Sequence, residues 1–204
     1  MVRELIAILR GVTPHEVIAI AEELILSGIT KIEVPLNSPN AYESIETLAN
    51  SFSSEVVIGA GTVLKKNEVA SVCNAGGKMI VSPNVNVDVI IETKKLNMRS
   101  YPGVFTATEC FEAIQNGSDG LKLFPAFLIG VDGFKALKAV LPPSLPTYAV
   151  GGVDPSNFAD WMAFGVTGFG IGSYLYKVGD NVSDVGEKAK KIVSAYDDAS
   201  YERT

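Results

Sequence analysis

Three charged residues stand where apolar ones are the rule. Arg10 lies in Ile8-Leu9-Arg10-Gly11, Glu33 in Ile32-Glu33-Val34-Pro35, and Lys122 in Leu121-Lys122-Leu123-Phe124-Pro125. Each run reads as a buried strand, and alternation turns the apolar neighbours of Glu33 and Lys122 one way and the charges the other. A lysine so placed does one of two jobs: it is a point charge for a phosphate, or an amine nucleophile whose pKa is lowered by desolvation. Leu121, Leu123, Phe124 and Pro125 make its surroundings dry and favour the neutral amine. A nearby carboxylate such as Glu33 opposes that, yet it supplies the general acid/base that imine chemistry requires. The bland alternative is a buried ion pair or a rim salt bridge. Desolvating two ions roughly cancels their attraction, so three charged strand residues need a further reason.

Several other chemistries are excluded. The chain has one histidine, His15, which reads as an exposed residue in the first turn of a helix. With no HxH, DxD or HExxH spacing, neither a His-rich metal site nor serine–histidine hydrolysis can be assembled. Cys73 and Cys110 stand far apart without CxxC spacing and read as small core residues of helices, not as a disulfide framework or zinc knuckle. A net charge of -6 over 204 residues argues against nucleic acid as a partner, because phosphate-backbone binding needs clustered Lys and Arg. A small anionic ligand needs only a few local donors. The opening apolar run, broken by Arg10, is too short for a signal segment or membrane span, so the expected location is the cytoplasm with no membrane partner.

Elements to position these side chains recur along the whole chain. Eight units repeat a short Ile/Val-rich run, a turn with Gly, Pro, Ser or Thr, and an amphipathic stretch. Expected strands cover 6–11, 31–36, 56–61, 79–83, 99–104, 120–125, 147–152 and 168–173. Helix starts are signalled by Thr13-Pro14-His15-Glu16, Thr106-Ala107-Thr108-Glu109 and Asp154-Pro155-Ser156-Asn157, and helix ends by Gly28, Gly76-Gly77, Gly117 and Gly165. No linker interrupts the series. Eight alternating units favour a closed (β/α)8 TIM barrel, one domain spanning residues 1–204, over an open doubly wound sheet, whose first turn would carry a GxGxxG that Ile8-Leu9-Arg10-Gly11-Val12 is not. In such a barrel the charged residues belong near the C-terminal ends of the strands, where barrel active sites lie. Residues 181–204 read as a final helix with a polar tail.

The last two strands end in Val150-Gly151-Gly152-Val153 and Gly170-Ile171-Gly172-Ser173. Barrels often bind phosphate with the loops after these strands, through backbone amides that small residues leave accessible. Each motif alone is equally a tight turn; as a pair in the expected places they favour phosphate. Gly59-Ala60-Gly61-Thr62 brings backbone and a hydroxyl towards the same rim, and Ser82-Pro83-Asn84 ends the fourth strand stiffly. Trp161 and the other aromatics fall at helical spacing and read as core or interface.

Taken together, Ala7-Ile8-Leu9-Arg10-Gly11, Ile32-Glu33-Val34-Pro35-Leu36-Asn37-Ser38, Gly59-Ala60-Gly61-Thr62-Val63-Leu64, Leu121-Lys122-Leu123-Phe124-Pro125-Ala126 and Val150-Gly151-Gly152-Val153 resemble the KDPG/KHG aldolase family over residues 5–177. The resemblance implies a homotrimer of (β/α)8 barrels with no metal or cofactor, acting on a phosphorylated 2-keto-3-deoxy sugar acid. It makes Lys122 the Schiff-base former and Glu33 the proton shuttle. Arg10 and Thr62 match the family's substrate-carboxylate and phosphate neighbourhood, Gly151, Gly152, Gly172 and Ser173 its phosphate-binding turns, and Pro83 and Phe124 the pocket walls. Gluconate-type members tend to carry Thr-Leu-Arg after the glutamate–valine pair and a threonine before the glycine pair. Here Pro35-Leu36-Asn37 and Val150 stand there instead, which points to the galactonate-type subgroup, with Arg10 replacing the second strand's arginine and Val150 biasing the epimer choice. The expected reaction releases pyruvate and glyceraldehyde 3-phosphate. A phosphosugar isomerase or epimerase with Glu33 as base, or a non-catalytic phosphate-ligand binder, are the competing readings of the same residues.

Overall fold

The computed structural model describes residues 3–201. Its strands, all parallel, are β1 (Leu5–Ile8), β2 (Lys31–Pro35), β3 (Val57–Gly61), β4 (Met79–Val81), β5 (Arg99–Tyr101), β6 (Gly103–Val104), β7 (Leu121–Leu123), β8 (Thr147–Val150) and β9 (Gly168–Ile171). The order β5-β4-β3-β2-β1-β9-β8-β7-β6 runs round a barrel. The expected fifth strand, 99–104, is split because Pro102 has no N–H to give to a ladder. Its first half pairs with β4 and its second with β7, so this one segment closes the circle. Among the described residues eight helices alternate with the strands: α1 (Val17–Ser27), α2 (Ala41–Ser51), α3 (Lys66–Asn74), α4 (Val87–Lys95), α5 (Ala107–Gln115), α6 (Ala126–Lys138), α7 (Phe158–Ala163) and α8 (Val182–Tyr201). The architecture is the expected (β/α)8 TIM barrel.

Local signals explain most boundaries. Thr106 and Glu109 form the expected capping box, with the Thr106 hydroxyl accepting from the Glu109 amide and the Glu109 carboxylate accepting from that of Thr106 at 2.8 Å. The first helix begins later than Thr13-Pro14 suggests. Glu16 does fold back on the Thr13 amide at 2.9 Å, but residues 13–16 make only a turn before α1. Gly28 caps α1 in a left-handed conformation, which lets its amide reach back to the last carbonyls. Tail residues 202–204 lie outside the described residues.

Alternation sorts the strand side chains into two cores. Ile32, Val34, Ile58, Ala60, Leu121 and Leu123 point outwards into a core shared with the helices. Ile6, Ile8, Met79, Val81, Tyr101, Tyr148 and Val150 pack inside the barrel. Towards the N-terminal end of the strands that interior turns polar. The buried Lys31 ammonium is paired with Glu4, and the Tyr148 hydroxyl donates to Glu4 Oε2 at 2.6 Å. Tyr101 meets Tyr148 edge-on at 5.1 Å, so this end is filled.

Candidate active site

Lys122 and Glu33 are inward residues of strands whose outward neighbours are fully buried. Lys122 is 6% exposed and Glu33 1%. The Lys122 ammonium position lies 4.7 Å from the centre of the Phe124 ring. Burial pushes the Lys122 pKa down; Glu33 opposes that shift and Arg10 adds to it. Burial also pushes the Glu33 carboxyl up to about 7, with Lys122 and Arg10 holding it from going higher. Both shifts move the pair towards neutral forms, an amine able to attack and an acid able to exchange a proton near neutral pH.

Space for the carboxyl comes from β3. Register sets Glu33 beside Gly59 and Pro35 beside Gly61, so the inward positions of β3 next to Glu33 carry no side chains. A Cβ on Gly61 would coincide with the Glu33 carboxylate. Glu33 Oε2 has no hydrogen-bond partner among the described residues, which leaves one oxygen of a buried carboxyl available.

Arg10 corrects the sequence-based expectation. It does not lie in a strand: β1 ends at Ile8, and Arg10 is exposed on the rim beyond it, because Leu9 and Val12 take the buried positions of the turn. Its guanidinium donates to Asn37 Oδ1 at 2.5 Å and to Thr62 Oγ1 at 3.4 Å. Thr62 adopts φ of 57°, a left-handed conformation that a β-branched residue rarely takes. That turn aims its hydroxyl at the arginine, and such strain concentrates at functional sites.

Above these residues opens a cavity of about 630 Å³, lined by Arg10, Lys122, Phe124, Val150, Gly151, Gly152, Gly172, Ser173 and the 174–178 loop. Gly151 and Gly152 have φ of 90° and 75°, a backbone that only glycine takes freely. The amides of Gly152 and Ser173 donate to no acceptor among the described residues, so both are available to an anion. The cavity wall therefore brings together seven of the nine candidate residues; Thr62 is tied to it through Arg10, and Glu33 is coupled electrostatically to its Lys122. Pro83 is not in the wall; its backbone packs on Gly103 instead. His15 is exposed and Cys110 is buried, as their sequence contexts suggest.

Sequence reasoning missed Asn37 as the partner of Arg10, Gly61 as the space for Glu33, and Lys177 in the cavity wall. Asn37 and Gly61 sit in motifs already singled out, but their roles depend on register between strands. Lys177 carries no local signal at all.

The model of the KDPG and KHG aldolase family matches residues 2–188. The chain is 47% identical over 197 residues to a probable 2-dehydro-3-deoxy-6-phosphogalactonate aldolase of Rhizobium meliloti, covering 97% of this chain and 93% of that protein. It is 43% identical over 195 residues to the 2-dehydro-3-deoxy-6-phosphogalactonate aldolase of Escherichia coli, covering 96% and 95%. A solved structure described as native KDPGal superposes with a TM-score of 0.96 at 42% identity, covering 97% of this chain and 96% of that one. With its whole barrel matched by structure and nearly its whole length by sequence, the chain belongs to the KDPG and KHG aldolase family of lyases.

Proposed function

We propose that this chain is a class I, Schiff-base aldolase that cleaves 2-dehydro-3-deoxy-6-phospho-D-galactonate to pyruvate and D-glyceraldehyde 3-phosphate. In this reading it works as a single domain over residues 1–204, in the cytoplasm and without a metal or cofactor. The observation that carries the proposal is a desolvated Lys122 amine sharing the barrel interior with a buried Glu33 carboxyl, whose Oε2 has no hydrogen-bond partner among the described residues, beneath an anion-suited cavity. The galactonate assignment rests on the two relatives of that name. A homotrimer is part of the same reading, supported by the exposed apolar side chains of Phe127 and Leu128.

The Lys122 amine adds to the C2 ketone, and loss of water gives an iminium. Glu33 takes the C4 hydroxyl proton, the C3–C4 bond breaks, and its electron pair moves into the iminium to form an enamine as the aldehyde leaves. The enamine is protonated at C3 and hydrolysed, which frees pyruvate and the amine. Arg10, held by Asn37 and Thr62, takes the C1 carboxylate, and the amides of Gly151, Gly152, Gly172 and Ser173 surround the phosphate.

Val150 is 6% exposed and lines the cavity as an apolar surface. Pyruvate release should therefore be measured with the galactonate and gluconate epimers, on the parent and on Val150→Thr. The parent should favour the galactonate epimer, and the threonine hydroxyl should shift the ratio towards the gluconate epimer by about tenfold. A parent that prefers the gluconate epimer would overturn the substrate assignment, and pyruvate from neither would overturn the reaction.

A further inference from the structure

Among the described residues the cavity wall holds three cationic side chains, Arg10, Lys122 and Lys177, and no carboxylate, in a chain whose net charge is -6. Two of the cations have tasks in the proposed reaction. Lys122 must be a neutral amine to attack the ketone, and Arg10 is tied to Asn37 and Thr62 at the mouths of β2 and β3. A phosphorylated sugar acid brings a carboxylate and a phosphate of roughly -1.5 to -2 charge at neutral pH. Backbone amides supply only partial positive charge towards the phosphate.

Lys177 is held where it can supply the rest. The loop after β9 turns at once, with the Leu175 and Tyr176 amides both donating to the Gly172 carbonyl, at 2.8 and 3.0 Å. Leu175 and Tyr176 are buried, and the Tyr176 hydroxyl donates to Glu16 Oε1 at 3.2 Å. On the other side the Lys177 amide donates to Asp180 Oδ2 at 2.9 Å, and Asp180 is ion-paired to Lys188 at 2.6 Å. The backbone of Lys177 is thus pinned at both ends, while its exposed side chain lines the cavity and is in no ion pair among the described residues. Asp180, its nearest acidic neighbour in the chain, is ion-paired to Lys188 and acts on Lys177 only as a charge at longer range.

We infer that Lys177 is a specificity-determining residue, the point charge that selects a phosphorylated substrate by meeting its phosphate beside the Gly151-Gly152 and Gly172-Ser173 turns. The inference rests on the proposed aldolase site. A compact ammonium suits this role because it needs no fixed angle of approach to the phosphate oxygens.

The test uses Lys177→Gln and Lys177→Arg in the full-length protein. First, the dissociation constant for inorganic phosphate is read by phosphorus NMR titration, which requires no catalysis. Glutamine should weaken it about tenfold and arginine should restore most of that loss. Second, KM and kcat are compared for the phosphorylated sugar acid and its unphosphorylated counterpart. In Lys177→Gln the KM for the phosphorylated substrate should rise about tenfold with kcat little changed, while the unphosphorylated substrate should show no change. Equal phosphate binding by parent and glutamine variant, or equal loss on both substrates, would overturn the inference. A parent that binds phosphate through Lys177 yet never cleaves a sugar acid would instead contradict the aldolase reading and leave this one standing.

Discussion

At the residue scale the site is a problem of two buried charges. A free carboxyl and a free ammonium both resist burial, and here each also stabilises the other's charged form. For Glu33 desolvation wins, and its folded pKa of about 7 stands above the ordinary 4.5. The protonated form is therefore favoured by folding. Glu33 costs no stability below about pH 4.5, and the cost grows as pH rises towards 7. Glu33→Gln should melt higher than the parent at pH 8, with the difference shrinking towards pH 5. The same variant should lose about 10²- to 10⁴-fold in cleavage rate while still forming the imine. In the parent, cleavage should rise as pH passes through about 7, because only the deprotonated carboxylate can take the hydroxyl proton. A pH-rate profile and thermal melts on both proteins check this, and an unchanged limb near neutrality in Glu33→Gln would remove Glu33 from the role. Lys122 and Glu33 were legible in the sequence because a charge between apolar neighbours in a strand is conspicuous. Arg10 was misplaced because the apolar run continues through Leu9, although the ladder stops at Ile8.

At the element scale, strand register decides which residues meet. Inward positions of β3 are Val57, Gly59 and Gly61, and the last two leave room for the side chain that β2 projects sideways. Gly61→Ala should displace the Glu33 carboxyl, the flexible end of that contact, and not the backbone. The expected result is a folded protein whose cleavage rate falls about 10²-fold or more, with borohydride trapping of pyruvate on Lys122 retained. Loss of trapping and cleavage together would mean that the strand itself had shifted. The sequence shows Gly59-Ala60-Gly61 as a close approach of backbone, but not what approaches it, since that requires the pairing of β2 with β3. The closure of the barrel was equally beyond local signals. Pro102 marks an interruption in a strand, yet only the fold shows one segment pairing with β4 before it and β7 after it.

At the scale of the whole molecule, the two ends of the barrel carry opposite designs. The N-terminal end closes on itself, with Lys31, Glu4 and Tyr148 satisfying one another. Among the described residues, the C-terminal end leaves Glu33 Oε2, the Lys122 amine and the Gly152 and Ser173 amides without hydrogen-bond partners, and it collects three cations in a chain of net charge -6. Donors and acceptors left without partners around one cavity are what a ligand can satisfy. The eightfold repeat of apolar run and amphipathic stretch made the barrel readable before any coordinates, because each unit obeys its own period. The polar closure at the N-terminal end was not readable, because Glu4 and Tyr148 are far apart in sequence and each looks ordinary alone. No described helix is long and apolar enough to cross a membrane.

The central claim is that Lys122 forms an imine with the keto acid. Incubating the protein with pyruvate and sodium borohydride, then locating the adduct by peptide mass mapping, tests it directly. The account expects one reduced pyruvate adduct per chain, on Lys122, and none in Lys122→Ala. A folded parent without an adduct, or an adduct on another lysine, would contradict it.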